Sequence, residues 1–437
     1  MQIFKIKNGL DINYPFKPER KLIPLPVPET IGIHISDFRG IRPKLLVEEG
    51  TSIKGGTPLF NDIKDKELAF ISPLPGKIKR IKRDSHYKLK LIEIDINVDL
   101  GFLEHQKLSL QDIMTLSKET ALKTAKNRGF FSFFKTRPFN KVPDTNSLPK
   151  AIFINACNSA PGELEQGFIL RDHLKELKTG LAFIKKITSS KIFFCVNTRK
   201  DADLYKEILQ DTGTYLFTGP HPSGLTGTHI YKLDPLKEEE LIWNIKATHL
   251  RTIGSSLNQG YFDATRFITV SGSNIKKNAY YQTVYGMPIK TILKHTAYND
   301  KNSNQTINGT VLFGEKKKDK DYLSWNEDNI QTIEIKTSRN LFGWLLPEKK
   351  DEEHNNTLKG DLRSIIQTDI YDTVTPLNIY SNFLIKAILD NNLEEAIKLG
   401  MLELIPEDLA LATYLCPSKI DLCQILEQGL TEAEKEL

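Results

Sequence analysis

Residues 219–229 constrain the fold more than any other stretch, because their composition excludes a long helix or a central strand. The stretch has the sequence GPHPSGLTGTH, with three glycines, two prolines and two histidines in eleven residues. Proline fixes φ and removes an amide donor, whereas glycine admits positive φ. We therefore predict a rigid loop after the apolar run 214–217. Such a loop either holds a ligand or partner, or is a connection whose histidines are satisfied internally.

The residues before this loop alternate between apolar strands and amphipathic helices. We predict strands at 151–154, 191–196 and 215–217, and helices at 163–186 and 202–209. This β-α-β-α-β order favours a parallel, Rossmann-like α/β sheet. The loop would then leave the carboxyl end of a strand, where open α/β sheets place their ligand crevices.

A chain of 437 residues is too long for one compact core, so we expect several domains. Strand-like alternation over 29–97 resembles the barrel-sandwich fold of biotinyl and lipoyl carrier domains. Residues 266–272 and 286–294 resemble a soluble-ligand-binding β-grasp domain, with polar insertions or hairpin tips at 301–308 and 316–321. The expected fold is multidomain α/β plus β. Its parts are N-terminal strands with a lipoyl-like barrel sandwich (1–100), a Rossmann-like α/β domain (101–260), a β-grasp domain (261–350), and a linker with a C-terminal helical domain (351–437).

Composition narrows the class of protein. The net charge of +5, from 60 basic and 55 acidic residues, is too small to indicate nucleic-acid binding. No apolar run approaches the roughly 20 residues that cross a bilayer, and the N-terminus lacks a signal peptide. The four cysteines have scattered spacings that indicate no disulfide framework. These features favour a soluble cytoplasmic protein, whether free or bound to a membrane assembly.

Five segments, in order along the chain, resemble the A-type subunit of the sodium-pumping NADH:quinone oxidoreductase. The first four are IKNGLD at 6–11, KTRPFNKVP at 135–143, GPHPSGLTGTH at 219–229 and LFGW at 341–344. The fifth combines LEL at 402–404 with EDLAL at 407–411 and CPSK at 416–419. Any one of them would be weak, but together they extend the resemblance over nearly the whole chain.

The resemblance implies a peripheral subunit on the cytoplasmic face of the bacterial inner membrane. The complex would be a translocase that oxidises NADH, reduces a quinone and exports Na⁺. Its other membrane and peripheral subunits would be the partners of this chain and would carry the flavins and iron–sulfur centres. The alternative, from a different class, is a free-standing flavin-dependent NADH dehydrogenase of the Rnf or complex I type. A third is a lipoyl- or biotin-type carrier modified at Lys64 or Lys66.

Missing motifs predict that this chain has no redox cofactor of its own. Residues 127–134 stand where the NADH- and FMN-binding subunit of complex I has a glycine-rich FMN loop, but only Gly129 remains and four of the other positions are phenylalanine. The strand–turn–helix at 154–163 resembles that subunit's nucleotide site, with Cys157, Asn158 and Ser159 in place of acids. Cys416 and Cys423 are too far apart for the cluster pattern of the Rnf C subunit. We therefore predict no catalytic, cofactor-binding or metal-binding residues.

What remains is recognition of a partner protein or of a quinone. A quinone headgroup needs a flat apolar slot with one or two donors. The same side chains could equally be ordinary core aromatics and internally satisfied polar groups. The basic run 77–90 is either the polar face of a sheet or a contact for an acidic partner or anionic lipid. The candidate quinone or interface residues are Arg137, Phe139, Gly219, His221, Gly224, Gly227, His229 and Trp344, with Phe217 as a further wall.

Overall fold

The structure is a computed structural model that describes residues 1–209, 212–237, 239–298, 304–318, 320–334, 362–365 and 368–436. No helix within these residues is long and apolar enough to cross a membrane. The predicted segment LFGW, with Trp344, and the charged run 348–356 lie outside the described residues.

The first hundred residues form two small antiparallel sheets, preceded by two strands that belong elsewhere. One sheet has the order β3-β9-β8-β5 and the other β4-β6-β7. Their facing sides bury apolar side chains such as Ile33, Phe60, Phe70 and Ile92. The strands are β1 (Gln2–Lys5), β2 (Glu19–Pro24), β3 (Thr30–His34), β4 (Pro43–Leu45), β5 (Ser52–Ile53), β6 (Pro58–Asp62), β7 (Ala69–Ile71), β8 (Gly76–Arg83) and β9 (Leu89–Ile96).

The second region is an α/β layer around a six-stranded sheet of order β1-β13-β12-β11-β14-β10. All neighbours in it are parallel except β10 and β14. Its elements are α1 (Leu110–Thr115), α2 (Lys118–Asn127), β10 (Lys135–Arg137), β11 (Ala151–Asn155), α3 (Gln166–Leu170), α4 (Leu174–Ile187), β12 (Lys191–Val196), α5 (Arg199–Tyr205), β13 (Gly213–Thr218), α6 (Thr226–Leu233), β14 (Ile242–Lys246) and α7 (Ala247–Gln259). The chain steps outward from β11 to β13 and then returns to the other side of β11, so the switch point lies between β11 and β14.

The third region is a mixed six-stranded sheet of order β18-β17-β19-β15-β16-β2 with one helix. Its elements are β15 (Thr265–Gly272), β16 (Ala279–Val284), α8 (Ile289–His295), β17 (Asn304–Asn308), β18 (Glu315–Lys317) and β19 (Asn329–Glu334). The N-terminal strand β2 pairs in parallel with β16. Residues 1–24 therefore complete the sheets of two later regions instead of the barrel-like core that follows them.

The C-terminal region is helical and has its own apolar core. Its helices are α9 (Ile370–Val374), α10 (Ser381–Leu389), α11 (Leu393–Lys398), α12 (Ala410–Leu415) and α13 (Leu422–Glu436), with 3₁₀ turns at Met401–Glu403 and Pro406–Leu409. Pro406 stands first in its turn, where a proline loses no helical hydrogen bond.

Three local predictions are wrong in detail. The helix expected over 163–186 is two helices, α3 and α4, because His173, with φ −130°, leaves the helical path between them, and Glu163 lies in the preceding loop. The stretch 219–229 is not a loop throughout, since α6 begins at Thr226. The polar stretch 301–308, expected to be an insertion or hairpin tip, contains the strand β17, whose Asn308 amide finds a buried acceptor in the Ser324 hydroxyl at 2.5 Å.

Candidate functional site

The histidine loop, residues 219–225, connects β13 to α6 and is held by the N-terminal segment. Gly219 has φ +131°, and a Cβ there would collide with the Ile6 carbonyl, so this position needs glycine. The Leu10 amide donates to the His221 carbonyl at 2.8 Å. The start of the loop therefore packs against the N-terminal segment, more than two hundred residues away in the sequence.

The side chain of His221 ties the loop to the residues that follow β11. Its Nδ1 lies 3.0 Å from the Ser159 hydroxyl, which also accepts the Gly224 amide at 2.9 Å. The Asn155 amide donates to the Gly224 carbonyl at 3.0 Å. Burial lowers the pKa of His221 to about 4, so the ring is neutral at neutral pH.

His229 closes the loop from the first turn of α6. Its Nε2 donates to the Ser223 carbonyl at 2.9 Å, which fixes the neutral tautomer, and its ring lies 4.2 Å from that of Phe217. Burial lowers the pKa of His229 to about 4, although the bond to Ser223 works in the opposite direction. The Thr228 hydroxyl adds a bond to the Pro222 carbonyl at 2.9 Å. These bonds explain why the glycine-rich stretch passes directly into a helix.

Arg137 and Gly227 meet at one carboxylate of the C-terminal region. The Arg137 Nη1 donates to Asp408 Oδ2 at 2.7 Å and to the Glu403 carbonyl at 3.2 Å, and both charged side chains are only 2% exposed. The Ile405 amide donates to the same carboxylate oxygen at 2.9 Å. A Cβ at Gly227 would collide with Asp408, so glycine permits this approach. The contact joins the α/β region to the C-terminal helices.

Phe139 belongs to the same junction but to its apolar side. It has φ +75° and packs into the core of the C-terminal helices. The Lys141 ammonium lies 4.9 Å over its ring and 2.9 Å from Glu434 on α13. A positive φ is costly for a phenylalanine, so the surrounding contacts must hold this conformation.

The structure thus brings together most of the residues that the sequence singles out, in a closed junction. His221 and Gly224 meet at Ser159, and Arg137 and Gly227 meet at Asp408. The sequence did not identify Ser159 or Asp408 as the partners of these residues. A buried arginine needs a carboxylate partner, so Asp408 could have been sought if Arg137 had been predicted to be buried. The sequence did not predict that burial.

The crevice at the switch point, between the ends of β11 and β14, is the place where open α/β sheets bind their ligands. Here the Glu163 Oε2 accepts the Ser159 amide at 2.8 Å and the Ala160 amide at 2.9 Å. Burial raises the pKa of Glu163, and the two amides counteract that effect. Paired loop amides are what a phosphate group would need. An internal carboxylate already occupies them.

The third region covers the same crevice. The Lys246 ammonium, at the end of β14, contacts Asp328 at 2.8 Å and the Asn326 carbonyl at 2.8 Å. The Leu164 backbone amide donates to the side-chain oxygen of Asn329 at 3.0 Å, and the side-chain amide of Gln331 donates to the Pro161 carbonyl at 2.6 Å. The polar groups at the switch point therefore contact other groups of the same chain.

The phenylalanine-rich segment 127–134 is part of the core. After Gly129, with φ +72°, a 3₁₀ turn spans Phe130–Phe133, and the side chains of Phe130, Phe131 and Phe133 are at most 2% exposed. Phe131 packs edge-on against Trp243 at 5.7 Å. Buried phenylalanines therefore fill this segment, as Glu163 fills the space at the two loop amides.

The remaining candidates have ordinary surroundings. In the basic run, Lys79 pairs with Asp95 at 2.9 Å, and Arg80 and Lys82 both pair with Glu93 at 2.9 Å, so the hairpin neutralises much of its own charge. Lys64 and Lys66 lie in the turn between β6 and β7. Within the described residues no three or more ligand-type side chains are arranged to hold a metal.

Two small packed sheets followed by a mostly parallel α/β layer place the chain in the class of multidomain α/β proteins. Comparison with known proteins identifies the family. The family model described as NqrA N-terminal barrel-sandwich hybrid domain matches residues 4–98, and the one described as NqrA second alpha/beta domain matches 116–262. A protein of Neisseria meningitidis serogroup B, named as the A-type subunit of Na(+)-translocating NADH-quinone reductase, is 30% identical, covering 99% of this chain and all of its own. Proteins of the same name from Neisseria gonorrhoeae and Haemophilus influenzae are 28% identical, covering 99% of this chain and 100% and 99% of their own lengths.

The chain therefore belongs to the NqrA family, the A-type subunits of the Na⁺-translocating NADH-quinone reductase. Its N-terminal region is the barrel-sandwich hybrid domain of that family, and its second region is the family's α/β domain.

Proposed function

We propose that this chain is a peripheral subunit of a sodium-pumping NADH:quinone oxidoreductase, on the cytoplasmic face of the inner membrane. The complex would couple NADH oxidation and quinone reduction to Na⁺ export. Flavins and iron–sulfur centres would sit on partner subunits. The observation that carries the proposal is a family match over 99% of the chain.

We further propose that the four regions are a lipoyl-like barrel sandwich, a degenerate Rossmann-like domain, a β-grasp domain and a C-terminal helical domain. The switch point between β11 and β14 supports the second assignment. The strand β15, the helix α8 and the mixed sheet around them support the third.

Within the complex, this chain would act in assembly and would carry no redox cofactor. The support is local: Glu163 takes the loop amides that a phosphate would need, and buried phenylalanines replace the glycine-rich loop. Hydride and electron transfer from NADH to a quinone require a cofactor, which the partner subunits would supply. The proposed role of Arg137, Gly227 and the histidine loop is to hold the α/β domain and the C-terminal helices at a fixed angle.

The experiment is a mild-detergent purification of this chain from its native membranes, assayed for Na⁺-stimulated NADH:quinone reduction. We expect membrane subunits and activity in the eluate. A chain that purifies alone and inactive, under conditions that preserve the enzyme of a relative, would overturn the proposal. The isolated chain should be colourless, and stoichiometric flavin absorbance would favour the free-standing dehydrogenase instead.

A further inference from the structure

An open cleft of about 460 Å³ lies beside the end of β1 and the residues that continue it. Three elements form its walls: the segment that continues β1, the helix α6, and the loop between α9 and α10. The lining residues are Lys5, Ile6, Lys7, Asn8, Tyr231, Lys232, Asp372 and residues 375–380.

One wall of the cleft is the end of the edge strand of the α/β sheet, Lys5, with residues 6–8 that continue it. β1 is the outermost strand, and its register pairs Phe4 with Phe217. The Ile6 amide donates to the Thr218 carbonyl at 2.8 Å, so the peptide groups of Phe4 and Ile6 point toward β13. Because peptide directions alternate along a strand, those of Lys5, the last residue of β1, point away from it. Lys7 follows two positions later, just beyond the end of the strand. No strand of the described residues pairs with that edge.

The lysines of the cleft have no ion-pair partner among the residues that the structure describes. Lys5, Lys7 and Lys232 form no ion pair with any described carboxylate, and Asp372 is the one acidic residue among the described lining residues. The Lys232 ammonium lies 4.7 Å over the Tyr231 ring. This differs from the basic hairpin, where carboxylates of the same sheet pair with the lysines.

The opposite wall combines polar and apolar residues and has an apolar margin. The Thr375 hydroxyl lines the cleft, is buried to 2% exposure, and has no hydrogen-bond partner among the described residues. At the margin, Tyr380 and Phe383 are 65% and 53% exposed and lie edge to face at 6.3 Å.

We propose that this cleft binds an extended acidic segment of another subunit, which adds to the free edge of β1. The peptide groups of Lys5 would form the main-chain hydrogen bonds, and Lys5, Lys7 and Lys232 would pair with carboxylates on the segment. Lysines on a bare edge also repel a second copy of the same edge, so an acidic segment is selected over self-association. A lipid headgroup could use the lysines but not the alternating amides and carbonyls. That the segment comes from another subunit rests on the proposed function.

The first test places a photo-crosslinking p-benzoylphenylalanine at Asn378, inside the cleft, in the whole complex purified from membranes. The control carries it at Lys178, exposed on α4. We expect Asn378 to crosslink to an extended segment with several Asp or Glu residues, identified by mass spectrometry, and Lys178 not to. Crosslinks to lipid, to a helix face, to a second copy of this chain, or to nothing in an intact complex would overturn the docking proposal. If the unmodified chain purifies alone, the proposed function fails instead, so the two failures are separate.

The second test reverses the charge of the cleft. The triple variant Lys5→Glu, Lys7→Glu and Lys232→Glu is compared with Lys178→Glu, Lys290→Glu and Lys294→Glu, which have the same change of net charge at exposed positions elsewhere. After both are shown by circular dichroism to fold, their affinities for membranes stripped of the native chain are measured at several salt concentrations. We expect at least roughly tenfold weaker rebinding for the cleft variant and a flatter salt dependence. Equal affinities would overturn the proposal.

Discussion

The crevice at the switch point and the cleft beside β1 lie in the same α/β region and have opposite chemistry. In the crevice, Glu163 caps two amides and Lys246 pairs with Asp328, so each charge contacts a group of this chain. In the cleft, Lys5, Lys7 and Lys232 have no described carboxylate partner. The crevice, where open α/β sheets usually bind ligands, is therefore filled by side chains of this chain. The cleft, at the edge of the sheet, is open.

This contrast distinguishes two roles that a polar residue can have, one in stability and one in binding. A group that the chain itself satisfies contributes to stability, and its removal leaves a buried partner uncompensated. A group that the chain does not satisfy is available to another molecule, and its removal affects binding. The two regions can be distinguished by measuring both quantities on matched variants.

The largest effect on stability is expected at the closed junction. Arg137→Ala leaves the Asp408 carboxylate buried without its cation, so we expect a loss of about 3–5 kcal/mol in the free energy of unfolding. The control Arg39→Ala removes a partly exposed pair with Glu427 at 3.6 Å, for which less than about 1 kcal/mol is expected. Urea denaturation measures both. Equal small losses would mean that the junction is not closed in solution.

The next effect tests the internal occupant of the crevice. Glu163→Ala leaves the Ser159 and Ala160 amides without an acceptor, for a loss of roughly 2–3 kcal/mol. Inorganic phosphate should then raise the melting temperature of this variant but not that of the unchanged chain. Glu163→Gln keeps an acceptor oxygen and should respond to phosphate much less. A variant that ignores phosphate would mean that these amides do not form an anion site.

A smaller effect is expected from pH. The pKa of His229 is lowered to about 4 by burial, below its usual value near 6.5, so the unfolded chain binds more protons than the folded one between these values. Stability from this group is complete above pH 6.5 and falls as the pH decreases toward 4. We expect a loss of about 1–2 kcal/mol by pH 5. His229→Gln should flatten the urea-midpoint profile, whereas His86→Gln, at an exposed position, should not.

The smallest effect is expected in the cleft. Single changes Lys5→Ala, Lys7→Ala and Lys232→Ala should each alter the free energy of unfolding by less than about 0.5 kcal/mol, since they break no ion pair among the described residues. Thermal melts of the three variants check this. A loss above about 1 kcal/mol would place these lysines with the self-satisfied groups and remove the contrast.

The sequence predicted the apolar elements better than the polar contacts. The strands at 151–154 and 191–196 follow from continuous apolar runs, and the structure places β11 and β12 there. The paths of β1 and β2 into later sheets could not be predicted, because short alternating strands carry no information on their partners. Glu163 could have been found as a carboxylate three and four residues after the amides that it caps, a spacing typical of local caps. The contact of Arg137 with Asp408 spans 271 positions, and no local pattern predicts it.

The pairing of β1 with β13 also determines when the α/β sheet can be completed during synthesis. The partners Gln2 and Tyr215 are separated by more than two hundred residues. At a ribosomal rate of about 5–20 residues per second, β1 leaves the ribosome roughly 10–40 s before β13 exists. Contacts this distant in sequence form late in folding. β1 is thus made early but is held in place only once β13 exists, and the loop between α9 and α10, which forms the opposite wall, is made later still. The proposed docking cleft therefore exists only after both the α/β domain and the C-terminal region are synthesised.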